Sequence, residues 1–413
     1  MNRTKSVRHI SILGSTGSVG VSTLSLLEER RASGHEFVIE ALTGGSNATL
    51  LAEQALRYRP NITVLANEAE WPVFQSLMVH SGLAIACGQD ALCEAAARKT
   101  DWVMAAIVGI AGLKPTWAAA GTGAILALAN KESLVCCGRA LIDRAEAHGG
   151  RILPVDSEHN AIFQVLDPAQ TGQVSKLILT ASGGPFLGRS RQDLQAVTVE
   201  QALKHPNWDM GAKITIDSAT LANKGLELIE AAYLFDMPSE KIEVVVHPQS
   251  VIHSLVEYAD GSTLAQLGSP DMRVPISYCL GWPERIAWQA PKLDLIKRGT
   301  LSFSAPDLAA FPMLALARQA LEAGRGMPIV FNAANEMCVR AFLERKITFL
   351  QIAEFVESAM MRAQLPSISS MDHASCDTNS HLSRNPSVEA ILAMDGDIRK
   401  LVSGLFATAR LRA

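Results

Sequence analysis

Short apolar blocks recur along the first third of the chain, at residues 7–13, 37–42, 62–65, 83–86, 102–107, 124–128 and 151–155. Between them run longer stretches with apolar residues at every third or fourth position. The blocks predict buried strands, and the stretches predict amphipathic helices. Strand and helix in alternation predict a parallel sheet with crossover helices. The middle of the chain changes rhythm. Strands are expected at 176–180, 212–217, 242–246 and 251–258, and Asp260-Gly261 turns the last of these into 263–267. Such spacing predicts mostly antiparallel pairing, with a long edge strand open to a second copy. Residues 291–311 carry prolines and few apolar runs, and read as a linker. Helical patterning resumes at 314 and is interrupted over 364–387 by Ser, Asn and Asp. Asn332-Ala333-Ala334-Asn335-Glu336 has the residues to cap and open one of these helices.

Polar clusters fall at the predicted strand ends, where open parallel sheets bind ligands. After the first strand comes Gly14-Ser15-Thr16-Gly17-Ser18-Val19-Gly20, then a helical pattern. Glycines let a backbone approach a pyrophosphate, and a helix N-terminus offers it unpaired N–H groups. The spacing, G-x-x-G-x-x-G, is a variant of the dinucleotide fingerprint; the same loop read alone is a tight turn. The second strand runs into Thr43-Gly44-Gly45-Ser46-Asn47, with no acid to hold a ribose 2′-hydroxyl. That leans towards a 2′-phosphorylated dinucleotide, NADP. Asn130-Lys131-Glu132-Ser133 follows a later strand. Lys131 and Glu132 form either a surface ion pair or, for Lys131, a contact to an anionic ligand.

Asp156 and Glu158 stand two apart in Pro154-Val155-Asp156-Ser157-Glu158-His159-Asn160. In an extended segment they point to one side, where two carboxylates repel unless a cation or shared proton joins them. Asn223, Lys224 and Glu227 share one face of a predicted helix. Acids on helix faces are usually solvated, but this segment is otherwise apolar. Three distant acids, Asp156, Glu158 and Glu227, are therefore expected to converge on one divalent cation. Ser218 is placed as the N-cap of that helix. Ser182-Gly183-Gly184 after a strand is either a turn or a cradle of N–H groups for a phosphate. His205-Pro206-Asn207-Trp208-Asp209-Met210-Gly211 reads as a loop able to close over a ligand.

Composition narrows the class. The chain has 413 residues, 48% of them hydrophobic, enough for several domains and a large core. A formal net charge of −4 leaves no basic footprint for nucleic acid. Seven cysteines lack any C-x-x-C pair, as expected of free thiols in a reducing cytoplasm. The apolar run 103–113 is too short to span a bilayer, so no membrane association is expected. His373, Cys376 and His381 lack a fourth ligand for zinc.

Read together, these segments resemble the 1-deoxy-D-xylulose 5-phosphate reductoisomerase family, the NADPH enzymes of the non-mevalonate isoprenoid route. The likeness is carried by the glycine loop, Asn130-Lys131-Glu132, 153–163, 182–186, 205–211, 217–227, 247–254 and Asn332-Ala333-Ala334-Asn335-Glu336, in matching order. It implies an α/β chain with a Rossmann-like NADPH domain over 1–155, an α+β catalytic and dimerisation domain over 156–290, a linker over 291–313 and a helical bundle over 314–413. It also implies that Asp156, Glu158 and Glu227 hold Mg2+ or Mn2+, with Lys131 and Ser157 positioning the sugar phosphate near it. Ser182, Ser218, Asn223 and Lys224 would grip the phosphate. His205 would bind from the covering loop, Trp208 would cover the substrate, and Met210 would help close the site. Thr16, Gly17, Ser18, Val19, Gly45, Ser46, Asn47, Asn130, Glu132 and Gly211 would contact NADPH. The family often has lysine where this chain has Ser46. A cytoplasmic homodimer is the implied assembly. A simple NADP dehydrogenase using the acids as acid and base, or a nucleotide sensor without turnover, are the competing readings; a sensor needs no cation site.

Overall fold

The computed structural model describes residues 7–208, 210–363 and 387–410. By their contacts they group into two compact units, each described by itself. The first comprises Met1–Ser133, Leu141–Asn160 and Asp271–Lys292; the second comprises Leu134–Ala140, Ala161–Pro270 and Leu293–Ala413.

The first unit is built on seven parallel strands: β1 (Arg8–Leu13), β2 (Phe37–Gly44), β3 (Ile62–Leu65), β4 (Ile85–Cys87), β5 (Trp102–Ala105), β6 (Ile125–Leu128) and β7 (Arg151–Pro154). Their spatial order is β4-β3-β2-β1-β5-β6-β7. Ile12 pairs with Leu42 on one side and Met104 on the other. Crossover helices cover both faces, which is why Ile10, Ile12, Leu13, Val103 and Met104 are all buried. The order reverses between β1 and β5, and the glycine loop leaves β1 at that switch point. Gly14 has φ +87°, and a Cβ there would lie 2.7 Å from the Ala106 carbonyl oxygen, so only glycine fits.

The segment Asp271–Lys292, expected at the end of the catalytic domain, packs in this first unit. Its helix Arg273–Gly281 lies against β6 and β7. The Trp102 indole donates to the Cys279 carbonyl at 3.1 Å, and Arg151 stacks over Trp282.

The second unit holds β8 (Val174–Ala181), β9 (Ile242–Val246), β10 (Ile252–Tyr258) and β11 (Thr263–Leu267), in the order β11-β10-β8-β9. β10 is antiparallel to β8 and β11, whereas β8 and β9 are parallel. Antiparallel pairing thus predominates, as expected, and the exposed β11 is an edge. The expected strand at 212–217 is instead part of the helix Ala212–Thr220. Ile214 and Ile216 alternate with polar residues and mimic a strand, but the buried residues are Thr215, Ile216, Asp217, Ala219 and Thr220. That is a helical stripe, and Lys213 pairs with Asp217 one turn on at 2.9 Å.

Ser218 therefore lies inside a helix and does not cap one. The next helix, Ala222–Phe235, starts from Leu221 in the left-handed region at φ 63°. Asn332-Ala333-Ala334-Asn335-Glu336 lies within the helix Met327–Leu343, not at its start. Gly326 and Pro328 open that helix. Its apolar face joins Leu226, Ile229, Ala317, Phe331 and Val356 in one core. Within the expected linker, Ser304 exchanges two backbone hydrogen bonds with Val246. His373, Cys376 and His381 lie outside the described residues. Among the described residues no helix is long and apolar enough to cross a membrane.

Candidate active site

At the carboxyl edge of the first sheet, Gly17 precedes the helix Ser18–Ala32 and makes no side-chain cap. The first-turn N–H groups are thus left for another acceptor. Thr16 and Val19 are half-buried, while Gly17 and Ser18 are exposed. Gly45, Ser46 and Asn47 are exposed after β2. Asn47 caps the helix Ala48–Tyr58 by accepting from the Leu50 N–H at 3.0 Å, and Asn67 donates to the Ser46 hydroxyl at 3.2 Å. After β6, Asn130 accepts from the Ser133 N–H at 2.8 Å, donates to the Gly109 carbonyl at 3.0 Å and reaches Glu132 at 3.3 Å. Lys131 and Glu132 are only 6% and 4% exposed, which removes the surface ion-pair reading.

The acidic segment is not extended, as sequence spacing suggested. β7 ends at Pro154 and the helix Ser157–Val165 begins at once. The Asn160 N–H donates to the Asp156 carbonyl at 2.8 Å, so Asp156 sits at the helix start and Glu158 in its first turn. Lys131 Nζ lies 2.5 Å from Asp156 Oδ2, and the Ser157 hydroxyl donates to Glu158 at 2.6 Å. Asn160 donates to the Pro154 carbonyl at 2.8 Å, and the Cys279 thiol reaches the same oxygen at 3.2 Å. The turn that carries the acids is therefore braced from below. Burial pushes the Cys279 thiol upward, so it stays protonated and serves as a donor.

In the second unit, Gly183 and Gly184 after β8 both have positive φ, at +84° and +67°. A Cβ on Gly184 would lie 2.9 Å from the Ser218 carbonyl oxygen, so Ser182-Gly183-Gly184 folds directly against Ser218. The Ser182 hydroxyl accepts from the Gly184 N–H at 3.2 Å and lies 2.9 Å from His205 Nε2. His205 Nδ1 accepts the N–H groups of Asn207 (3.2 Å) and Trp208 (3.0 Å). The proton of the neutral ring is thus on Nε2, which donates to Ser182. Burial holds the His205 pKa below its ordinary value and favours this neutral form. Asn207 anchors the loop by donating to the Pro248 carbonyl at 2.7 Å and the Ser250 hydroxyl at 3.2 Å. The Trp208 ring stands 6.4 Å from that of His253. Met210 is half-buried and Gly211 is exposed at the start of the next helix; Asp209 lies outside the described residues.

On the helix Ala222–Phe235, Asn223 donates to Glu227 Oε1 at 2.5 Å and Lys224 pairs with Glu227 Oε2. Lys224 is 4% and Glu227 1% exposed. Neither belongs to a solvated face, and each requires the other's charge. Sequence reasoning missed Asp217, buried beside Ser218, which accepts from Asn335 Nδ2 at 2.8 Å and pairs with Lys213. The Lys213–Asp217 spacing of four was the available signal. Each unit thus presents a carboxylate already paired with a buried lysine, together with hydroxyls or N–H groups suited to an anionic oxygen.

A doubly wound parallel sheet with a glycine loop at its switch point defines a Rossmann-type α/β protein carrying a second, α+β unit. Family models described as 1-deoxy-D-xylulose 5-phosphate reductoisomerase match residues 10–138, and those of its C-terminal domains match 152–235 and 267–401. The Caulobacter vibrioides protein named 1-deoxy-D-xylulose 5-phosphate reductoisomerase is 51% identical over 100% of both chains. The Zymomonas mobilis enzyme of that name, solved with NADPH, is 46% identical with a TM-score of 0.84, over 97% of this chain and 99% of the other. A DOX-P reductoisomerase solved with NADPH, fosmidomycin and magnesium is 43% identical with a TM-score of 0.90, over 98% and 99%. The chain belongs to the 1-deoxy-D-xylulose 5-phosphate reductoisomerase family.

Proposed function

We propose that the chain rearranges and reduces 1-deoxy-D-xylulose 5-phosphate to 2-C-methyl-D-erythritol 4-phosphate, using NADPH and a divalent cation. The observation that carries this reading is the full-length likeness, 51% identity end to end, to a protein of that name. The residues in hand fit the chemistry. Asp156, Glu158 and Glu227 offer oxygen ligands only, the preference of Mg2+ and Mn2+. These acids would hold the cation, which supplies Lewis acidity to the substrate's carbonyl and hydroxyl oxygens. NADPH supplies the hydride.

The chain's own groups do the rest. Lys131, already charged beside Asp156, orients the substrate's oxygens, with the Ser157 hydroxyl as a further donor. Lys224 and Asn223 bind the phosphate at one end of their helix, and Ser182 and Ser218 add hydroxyls from the folded-back turn. His205 keeps its proton on Nε2 and can pass that hydrogen bond from Ser182 to a phosphate oxygen. Trp208 and Met210, on the loop before Gly211, exclude water once ligand is bound. Thr16, Gly17, Ser18, Val19, Gly45, Ser46, Asn47, Asn130, Glu132 and Gly211 contact the dinucleotide. The absence of an acid after β2 suits a 2′-phosphate.

The division into nucleotide, catalytic, linker and helical parts belongs to the same proposal, with 271–292 counted with the first unit in which it packs. So does a cytoplasmic homodimer paired through the β11 edge, whose Leu264 and Leu267 are exposed. The decisive experiment is NADPH oxidation with 1-deoxy-D-xylulose 5-phosphate, with and without Mg2+. Metal-dependent consumption and a branched product are expected; no consumption with metal present defeats the proposal.

A further inference from the structure

Gln54 lies in the helix Ala48–Tyr58, seven residues beyond its N-cap Asn47, and is 6% exposed. Its amide spends both its polarities on one residue of the glycine loop. The Ser15 hydroxyl donates to Gln54 Oε1 at 2.7 Å, and Gln54 Nε2 donates back to the Ser15 carbonyl at 2.9 Å. From the other side, the end of β2 holds the same turn. The Ser15 N–H donates to the Thr43 carbonyl at 2.7 Å, and the Gly14 N–H donates to Thr43 Oγ1 at 3.0 Å. Ser15 is fully buried by this grip, while Gly17 and Ser18 stay exposed. The helix that carries Gln54 is also the one entered from Ser46 and Asn47.

We propose that Gln54 is a positioning residue for the dinucleotide. It ties the loop placed at the pyrophosphate to the helix that leads from the residues placed at the 2′-phosphate. The two contact regions are thereby held at one spacing before the cofactor arrives. This rests on the NADPH reading above. The physical argument is preorganisation. Without the amide, the loop must be ordered at the moment of binding, and that cost appears in affinity. The residues placed around the substrate lie elsewhere in the chain, so the chemical step is affected less.

The test compares the full-length wild type with Gln54→Leu and Gln54→Glu. NADPH is titrated by quenching of intrinsic fluorescence, and steady-state constants are measured for NADPH and for 1-deoxy-D-xylulose 5-phosphate. Gln54→Leu removes the bond to the Ser15 carbonyl and leaves the Ser15 hydroxyl only the Thr43 carbonyl, 3.1 Å away; the NADPH Kd should rise about tenfold, with kcat and the sugar-phosphate KM moving less than about threefold. Gln54→Glu keeps the acceptor for the Ser15 hydroxyl but sets a second oxygen against the Ser15 carbonyl. Relative to wild type, its NADPH affinity should recover as pH falls and the carboxyl gains a proton to donate. A residue that only fills space leaves Gln54→Leu, which is of similar volume, with wild-type NADPH affinity. An unchanged NADPH Kd overturns the proposal, as does a parallel rise in both substrates' constants. Failure of both variants to fold assigns the clamp to stability and overturns it too. A wild type that binds no NADPH defeats the functional reading itself, an outcome separate from a wild type that binds and variants that bind equally well.

Discussion

His205 Nε2 stands 2.9 Å from the Ser182 hydroxyl while His205 Nδ1 accepts backbone N–H groups from the loop that follows it. One neutral imidazole therefore pins the start of the loop over 205–211 to the turn after β8. Protonation of Nδ1 would break the loop side of that link.

The pH consequence has a definite sign. Burial lowers the His205 pKa below 6.5, so the folded chain takes up this proton at lower pH than the unfolded chain. The stability stored in the neutral ring is full above about pH 6.5 and is lost as pH falls through that value towards the folded pKa. Thermal midpoints measured from pH 7.5 down to 5 should fall more steeply for wild type than for His205→Gln. Superimposable slopes would remove His205 from the account.

Glu227→Gln removes a buried negative charge but keeps the shape of the side chain. Exchanging the carboxylate proposed to hold the cation for a weaker, neutral amide, and losing the charge paired with Lys224, should lower kcat at least ~100-fold, the scale of removing a preorganised electrostatic partner. NADPH affinity should stay within about threefold, because Glu227 is placed at the cation and not among the dinucleotide contacts. Normal rate with normal metal dependence in this variant would show the ligand assignment to be wrong.

Lys224→Ala removes the ammonium that pairs with the buried Glu227. Breaking a buried pair from one side costs about 3–5 kcal/mol when no other charge takes its place. The variant should denature at lower urea and show a raised KM for the sugar phosphate. Added Mg2+ should restore part of the stability, because a cation at the acids replaces the missing charge. Equal denaturation midpoints for variant and wild type would contradict the pair's role.

Ser46 is exposed, with its hydroxyl held by Asn67 and no lysine in its place. NADPH should be used in preference to NADH. Ser46→Lys should widen that preference about tenfold, since a charge-assisted bond to phosphate is about twice as strong as a neutral one. The ratio of kcat/KM for the two cofactors is the measurement; equal wild-type values would reject the 2′-phosphate assignment.

Chelation should abolish turnover, and Mg2+ or Mn2+ should each restore it. Asp156→Asn should require more metal for half-maximal rate, since a neutral amide oxygen binds a hard cation less well than a carboxylate. Full activity after exhaustive chelation would remove the cation from the mechanism.

Much of the fold was legible along the chain. Apolar blocks of four to seven residues bounded by turns suit strands of a covered sheet, and β1 to β7 lie at those blocks, with β4 half-buried at the edge. The glycine loop was legible because its glycines stand between a strand and a helical pattern; the positive φ of Gly14, hard against Ala106, came only with the fold. The spacing of Asn223, Lys224 and Glu227 was legible because a helix has one period. Residues 212–217 were misread, because period-two alternation over six residues also suits a helix whose true buried stripe shows only over nine.

What the sequence determined by itself was local: which segments become strands or helices, and which residue types stand at their ends. Only the tertiary structure decided that Lys131, Lys224 and Glu227 are buried and charge-paired, that 271–292 returns to the first unit, and that one histidine ring carries its proton on Nε2. Periodicity reports the faces of a single element. Burial, protonation and charge pairing depend on which distant element covers that face, and that is settled only when the chain folds.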